Sequence, residues 1–170
     1  MGICGIFSLS NRYFWEKQML RGLTTVKLDS KGRLAMPVRY RQSLTAMCDE
    51  QMVLTVDTES PCLLLYPINH WQELEQKLTE LPSLHSASRR VQRLLIGHAT
   101  DIQLDANGRF LLPSVLREYA SLNKDAVLVG QMNKFELWSE TLWQKHRKQW
   151  LKEILPIENQ LPEEVRQLKL

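Results

Sequence analysis

Val26–Arg41 reads VKLDSKGRLAMPVRYR, and Ile102–Arg117, 76 residues downstream, reads IQLDANGRFLLPSVLR. Without a gap, six of sixteen positions are identical: Leu28/Leu104, Asp29/Asp105, Gly32/Gly108, Arg33/Arg109, Pro37/Pro113 and Arg41/Arg117. The apolar positions also correspond, as in Val26/Ile102 and Leu34/Phe110. Self-similarity at a fixed offset is the mark of a repeated unit, so the chain is read as two copies of one unit.

The match extends outward with small gaps. Val53–Val56 corresponds to Val127–Gly130, Cys62–Tyr66 to Lys134–Trp138, and Trp71 to Trp143. A unit of about 50 residues buries too little surface to stand alone, so the copies are expected to share a core. Within each copy, Asp29-Ser30-Lys31-Gly32 and Asp105-Ala106-Asn107-Gly108 lie between short strand patterns. Aspartate at the first turn position caps local amides and glycine at the fourth accepts positive φ, which predicts a type I turn with a glycine bulge joining the strands of a hairpin. Pro37 and Pro113 then open short helices over Val38–Met47 and Ser114–Leu122, the second with Val115, Tyr119 and Leu122 on its apolar face. Two further strands follow in each unit, Met52–Asp57 with Cys62–Tyr66 and Ala126–Gly130 with Phe135–Trp138. Each unit closes with a helix: Pro67 opens the first, which carries Trp71, Leu74, Leu78 and Leu81, and Ser139 caps the second, which carries Trp143, Trp150 and Ile154. A basic helix over Arg89–Ile96 bridges the units. The fold class is mainly β with short helices, α+β.

The 170 residues, 44% hydrophobic and 24% charged, describe an ordinary globular chain. A net charge of +3 permits a nucleic-acid partner without demanding one, so the position of the charges carries that case. Cys4, Cys48 and Cys62 are odd in number and lack a metal-ligand spacing, which argues against a disulfide framework, and Cys48, Cys62 and His70 are not expected to hold a metal. No apolar run is long enough for a membrane span. Residues 1–18 carry no secretory or myristoylation pattern and read as an extension, with Met19 as the natural start; a genuine added segment is the alternative. No nucleophile with an adjacent base and no phosphate-cradling glycine loop is present, so no enzyme activity and no cofactor are expected; His98 with Asp101 is read as structural.

The paired Asp-x-x-x-Arg motif, each in a hairpin and followed by proline, resembles the MraZ family. Met19–Gly22, Asp29–Arg33, Pro67 with Trp71, Arg89–Leu95, Gly97–Ala99, Asp105–Arg109 and Lys134–Trp138 all look like family signatures, covering roughly Met19 to Trp143. The resemblance implies tandem AbrB-like swapped-hairpin β-barrel halves, at 19–70 and 99–142, with connecting helices at 71–98 and a C-terminal helix and tail at 143–170. It also implies a ring-like homo-oligomer that binds double-stranded promoter DNA at short tandem direct repeats. The implied role is transcriptional regulation of the cell-division and cell-wall operon, its own gene included, in the cytoplasm on the nucleoid.

A β-ribbon can enter the DNA major groove, where arginine donates two hydrogen bonds to guanine O6 and N7, a contact that discriminates by about 1–3 kcal/mol. Arg33 and Arg109 follow the turns and are assigned to base contact; their alternative is a local ion pair with Asp29 and Asp105. Lys27 and Lys31 are assigned to phosphates in the first copy, Gln103 and Asn107 to neutral hydrogen bonding in the second, and Arg21 is counted among the DNA-binding residues. Asp29, Gly32, Asp105 and Gly108 shape the turns and orient the arginines. Arg89, Arg90 and Arg93 read as a solvated or subunit-facing helix, with phosphate contact as the alternative, and the recurrence of Arg41 and Arg117 suggests a shared structural duty in each copy, such as a salt bridge on the barrel. The competing function is a ring-forming scaffold or an antitoxin-like module using the tail from Leu155.

Overall fold

A computed structural model describes residues 19–82 and 84–154; the expectations for 1–18 and for the tail beyond 154 lie outside them. The order of elements is β1 (Leu20–Lys27), β2 (Arg33–Ala35), α1 (Val38–Cys48), β3 (Gln51–Val56), β4 (Leu63–Pro67), α2 (Ile68–Thr79), α3 (Ser86–Gly97), β5 (Thr100–Gln103), β6 (Arg109–Leu111), α4 (Ser114–Tyr119), β7 (Asp125–Met132), β8 (Phe135–Ser139) and α5 (Glu140–Ile154). The chain is α+β, with a six-stranded antiparallel sheet in the order β1-β7-β8-β4-β3-β5 and a two-stranded ribbon of β2 and β6.

The two units exchange strands. β1 of the first unit runs along β7 of the second, Leu20 opposite Met132 to Lys27 opposite Asp125, while β5 of the second runs along β3 of the first, Gln51 opposite Gln103. β2 pairs with β6 through Arg33↔Leu111, Leu34↔Phe110 and Ala35↔Arg109, a register that maps onto itself when the units are interchanged. The bonds from the Met36 amide to the Gly108 carbonyl (2.8 Å) and from the Leu112 amide to the Gly32 carbonyl (2.9 Å) extend the same pseudo-twofold. The hairpins expected within each unit are therefore corrected. The turn after β1 forms as read, but beyond the single bridge Leu28↔Leu34 its second strand leaves for the other unit.

Two apolar clusters sandwich the central strands. One gathers both units, with Leu34, Leu44, Leu54, Phe110, Leu116 and Leu128 among its members. The other lies on the opposite face, where Val53, Leu64, Val127 and Trp138 are covered by Trp71 of α2 and by Trp143 and Trp150 of α5. Burial on both faces explains why β4 is apolar at every position rather than alternating. The face of α4 differs from expectation: Leu116 is buried within it, with Ala120 and Leu122 just beyond its end, whereas Val115 and Tyr119 are exposed. Among the described residues no helix is long and apolar enough to cross a membrane.

Candidate nucleic-acid interface

Both turns close as their sequences require. The Gly32 amide donates to the Asp29 carbonyl (3.0 Å) and the Gly108 amide to the Asp105 carbonyl (2.8 Å), with φ of +76° and +70° at the glycines. Asp29 Oδ1 accepts the amides of Lys31 and Arg33, both at 2.9 Å, and Oδ2 accepts Arg33 Nε at 2.8 Å. Asp105 repeats this with Asn107 and Arg109 at 2.8 Å and with Arg109 Nε at 3.3 Å. The amide of the following arginine is the foremost cause that holds each carboxyl below its ordinary value, with the guanidinium adding to it. Both aspartates are thus charged acceptors that fix the turn and engage one arginine nitrogen, which leaves the two terminal guanidinium nitrogens for an outside acceptor.

The ribbon unites what the sequence placed 76 residues apart. Leu34 and Phe110 point into the core, at 0% and 3% exposure, and so Arg33, Ala35, Arg109 and Leu111 share the outer face. Arg33 faces Leu111 and Arg109 faces Ala35, which makes the two arginines diagonal neighbours, about 7–8 Å apart at their backbones. Lys31 and Asn107 stand exposed at the two turn tips, and Lys27 and Gln103 on the strands that lead in. Lys27 lies opposite Asp125, with Nζ 3.9 Å from its carboxylate, which tempers its positive field. Arg21 is not part of this group: it sits six residues up β1 from Lys27, about 20 Å away along the strand, opposite Gln131.

Among the described residues neither Arg41 nor Arg117 pairs with a carboxylate, so the shared structural duty is not a salt bridge. Arg41 Nε donates to the Met36 carbonyl (2.8 Å) and Arg117 Nε to the Leu112 carbonyl (3.1 Å). Each guanidinium then lies over the other unit's turn glycine: a Cβ on Gly32 would come within 2.8 Å of Arg117 Cζ, and one on Gly108 would collide with Arg41 Cζ. Their recurrence in the sequence therefore reports a reciprocal brace between units. Three residues of this surface escaped the sequence reading. Ala35 and Leu111, the latter 55% exposed, look like ordinary strand residues until the register places them between the arginines. Lys124 comes to the first turn because its carbonyl accepts the Leu28 amide at 2.8 Å.

The remaining candidates lie elsewhere. Arg89, Arg90 and Arg93 are exposed on α3, where Arg89 Nη1 donates to the Leu84 carbonyl (3.1 Å). His98 Nδ1 sits 2.8 Å from the Leu94 carbonyl in the last turn of α3, and its ring lies tilted 6.2 Å from that of Tyr119, a packing arrangement. Cys48 and Cys62 fall in different apolar clusters, and burial pushes both thiols up, away from the thiolate that a metal needs.

Comparison with known proteins agrees along the whole repeat. A family model described as "MraZ protein, putative antitoxin-like" matches residues 19–94 and again 95–158. A relative from Legionella pneumophila (strain Corby) is 53% identical over 152 residues, which is 89% of this chain and 100% of the relative. One from Coxiella burnetii (strain Dugway 5J108-111) has the same identity and coverage, and one from Alkalilimnicola ehrlichii is 56% identical over 135 residues, 79% of this chain and 90% of its own length. All three bear the name transcriptional regulator MraZ. With both repeats matched by the family model, the chain belongs to the MraZ family.

Proposed function

We propose that this chain is a sequence-specific DNA-binding transcriptional regulator that reads the major groove with the β2–β6 ribbon. The observation that carries the reading is the convergence of Arg33 and Arg109 on the outer face of one ribbon, each held through Nε by a turn aspartate so that its two terminal nitrogens stay available to an outside acceptor. A ribbon anchored in the core by Leu34 and Phe110 presents both forks without reordering, which suits bidentate guanine contacts. Lys27, Lys31, Gln103 and Asn107 flank it as phosphate and hydrogen-bonding groups, and Asp29, Gly32, Asp105 and Gly108 shape and orient it; Arg21 serves a phosphate farther along β1. The strand exchange favours an AbrB-like swapped-hairpin architecture, with half-domains at 19–70 and 99–142 joined by the helices of 71–98 and followed by 143–170. The relatives' names support regulation of transcription, and with it a cytoplasmic, nucleoid-associated location and no catalytic centre. The targets of this reading are tandem direct repeats in the promoter of the cell-division and cell-wall operon, its own gene included. One ribbon spans few base pairs, so a ring-like homo-oligomer presenting several ribbons to such repeats gains by effective concentration.

The test is fluorescence anisotropy with the chain's own upstream promoter DNA and a scrambled duplex. Arg33→Ala and Arg109→Ala, each still folded by circular dichroism, are expected to weaken binding to promoter DNA about 5- to 150-fold, the equivalent of 1–3 kcal/mol, and to relax discrimination. Equal binding of both duplexes, or indifference to both arginines, overturns the reading and brings forward a scaffold or antitoxin-like module.

A further inference from the structure

The pseudo-twofold backbone carries side chains that do not obey it, and the departure is concentrated beside the turns. Next to the first turn an open cleft of about 550 Å³ is lined by the polar side chains of Asp29, Ser30, Arg117, Asn123 and Lys124, together with the apolar Leu28 and Leu122. Ser30, Arg117, Asn123 and Lys124 supply a hydroxyl, a guanidinium, an amide and an ammonium, all able to donate to one anion. Arg117 is half-buried and held in place by its bond to the Leu112 carbonyl and by its seat over Gly32, while Lys124 and Asn123 are exposed. The Asp29 carboxylate does not counter this set. Its oxygens already accept two amides and Arg33 Nε, and Arg33 balances its charge.

The second turn lacks the counterpart. Gln51 opposite Gln103 occupies the place of Asp125 opposite Lys27, so Glu50 stands where Lys124 does and Asp49 where Asn123 does. Ser30 corresponds to Ala106, Lys31 to Asn107 and Lys27 to Gln103; of the cleft's donors only the arginine survives, as Arg41 over Gly108. Lys27, Lys31, Arg117 and Lys124 against Asp125 leave the first side three formal charges positive, whereas Arg41 against Asp49 and Glu50 leaves the second one formal charge negative. Glu50 is further engaged by the Thr45 hydroxyl at 2.8 Å.

We propose that the cleft beside the first turn is a seat for a DNA backbone phosphate, with Arg117 and Lys124 as its binding residues, and that the ribbon is therefore anchored to the duplex on one flank only. The proposal rests on the DNA-reading function above and adds to it the site and the asymmetry of backbone contact.

The experiment measures promoter binding across a salt series and maps essential phosphates by ethylation interference. Lys124→Gln is expected to flatten the slope of log affinity against log salt by about 1 and to abolish interference on one flank. Glu50→Lys is expected to steepen the slope by about 1 and to add interference on the other flank. Lys148→Gln, on exposed α5, serves as the charge-matched control and leaves both unchanged. Symmetric interference in the unmodified chain, or an unaltered slope in Lys124→Gln while Arg33→Ala still abolishes sequence-specific binding, overturns the seat and leaves the reading of bases standing. Saturation of the cleft by inorganic phosphate with no effect of Lys124→Gln on DNA also overturns it. Loss of sequence preference in the unmodified chain removes both.

Discussion

Each turn aspartate does two tasks with one carboxylate: Oδ1 closes the turn on main-chain amides and Oδ2 steers a guanidinium. The folded value of each carboxyl lies below the ordinary 3.8, so each contributes stability above that pH, and the contribution is lost as pH falls through the folded value. Titration followed by carboxyl carbon NMR is expected to place both midpoints below 3.8. In Arg33→Ala the Asp29 midpoint stays depressed, because the residue 33 amide, the foremost cause, survives the substitution. A full return to 3.8 shows instead that the guanidinium set the value and that the turn did not. The turn chemistry was legible in the sequence because capping and positive φ act between neighbours, as did the ion-pair alternative for Arg33 and Arg109. The role of Arg117 was not, because its contact is with a glycine 85 residues away whose only sequence trace is that both recur.

At the scale of elements, the helices that close the units dock through aromatic rings rather than through the ribbon's core. Trp138 on β8 stands 5.9 Å from Trp143, 5.6 Å from Trp150 and 5.3 Å from His146, and its Nε1 donates to Glu136. Trp138→Ala is expected to cost about 3–5 kcal/mol by urea denaturation. The folded variant should keep its DNA affinity, since Leu34 and Phe110 are anchored in the other apolar cluster. Affinity lost in proportion to stability shows instead that the two clusters are coupled. Strand positions and the Trp71 and Trp143 helix faces were readable from periodicity over long segments. The face of α4 was misjudged because six helical residues define no reliable period, and Leu122, used to fix it, lies past the helix end.

For the whole molecule, the repeat was plain in sequence but the pairing was not. Alternation of apolar residues says which face of a strand is buried and is silent about which neighbour it joins. Because β1 needs β7 and β5 needs β3, neither unit holds a complete sheet. Fragments 19–98 and 99–170 are each expected to be unfolded as monomers by circular dichroism and size-exclusion chromatography, and to recover the sheet when mixed one to one. A fragment that folds alone as a monomer contradicts the strand exchange. Were one unit to pair with an identical copy of itself, a single codon would write both turns, and a substitution that improved one contact would be imposed on the other. The link through α2 and α3 removes that constraint. Lys31 has become distinct from Asn107, Lys124 from Glu50 and Leu111 from Ala35, while the backbone register between the units stays paired strand for strand. Mutation can thus differentiate the two ends of the ribbon one residue at a time, a freedom that no assembly of identical units possesses.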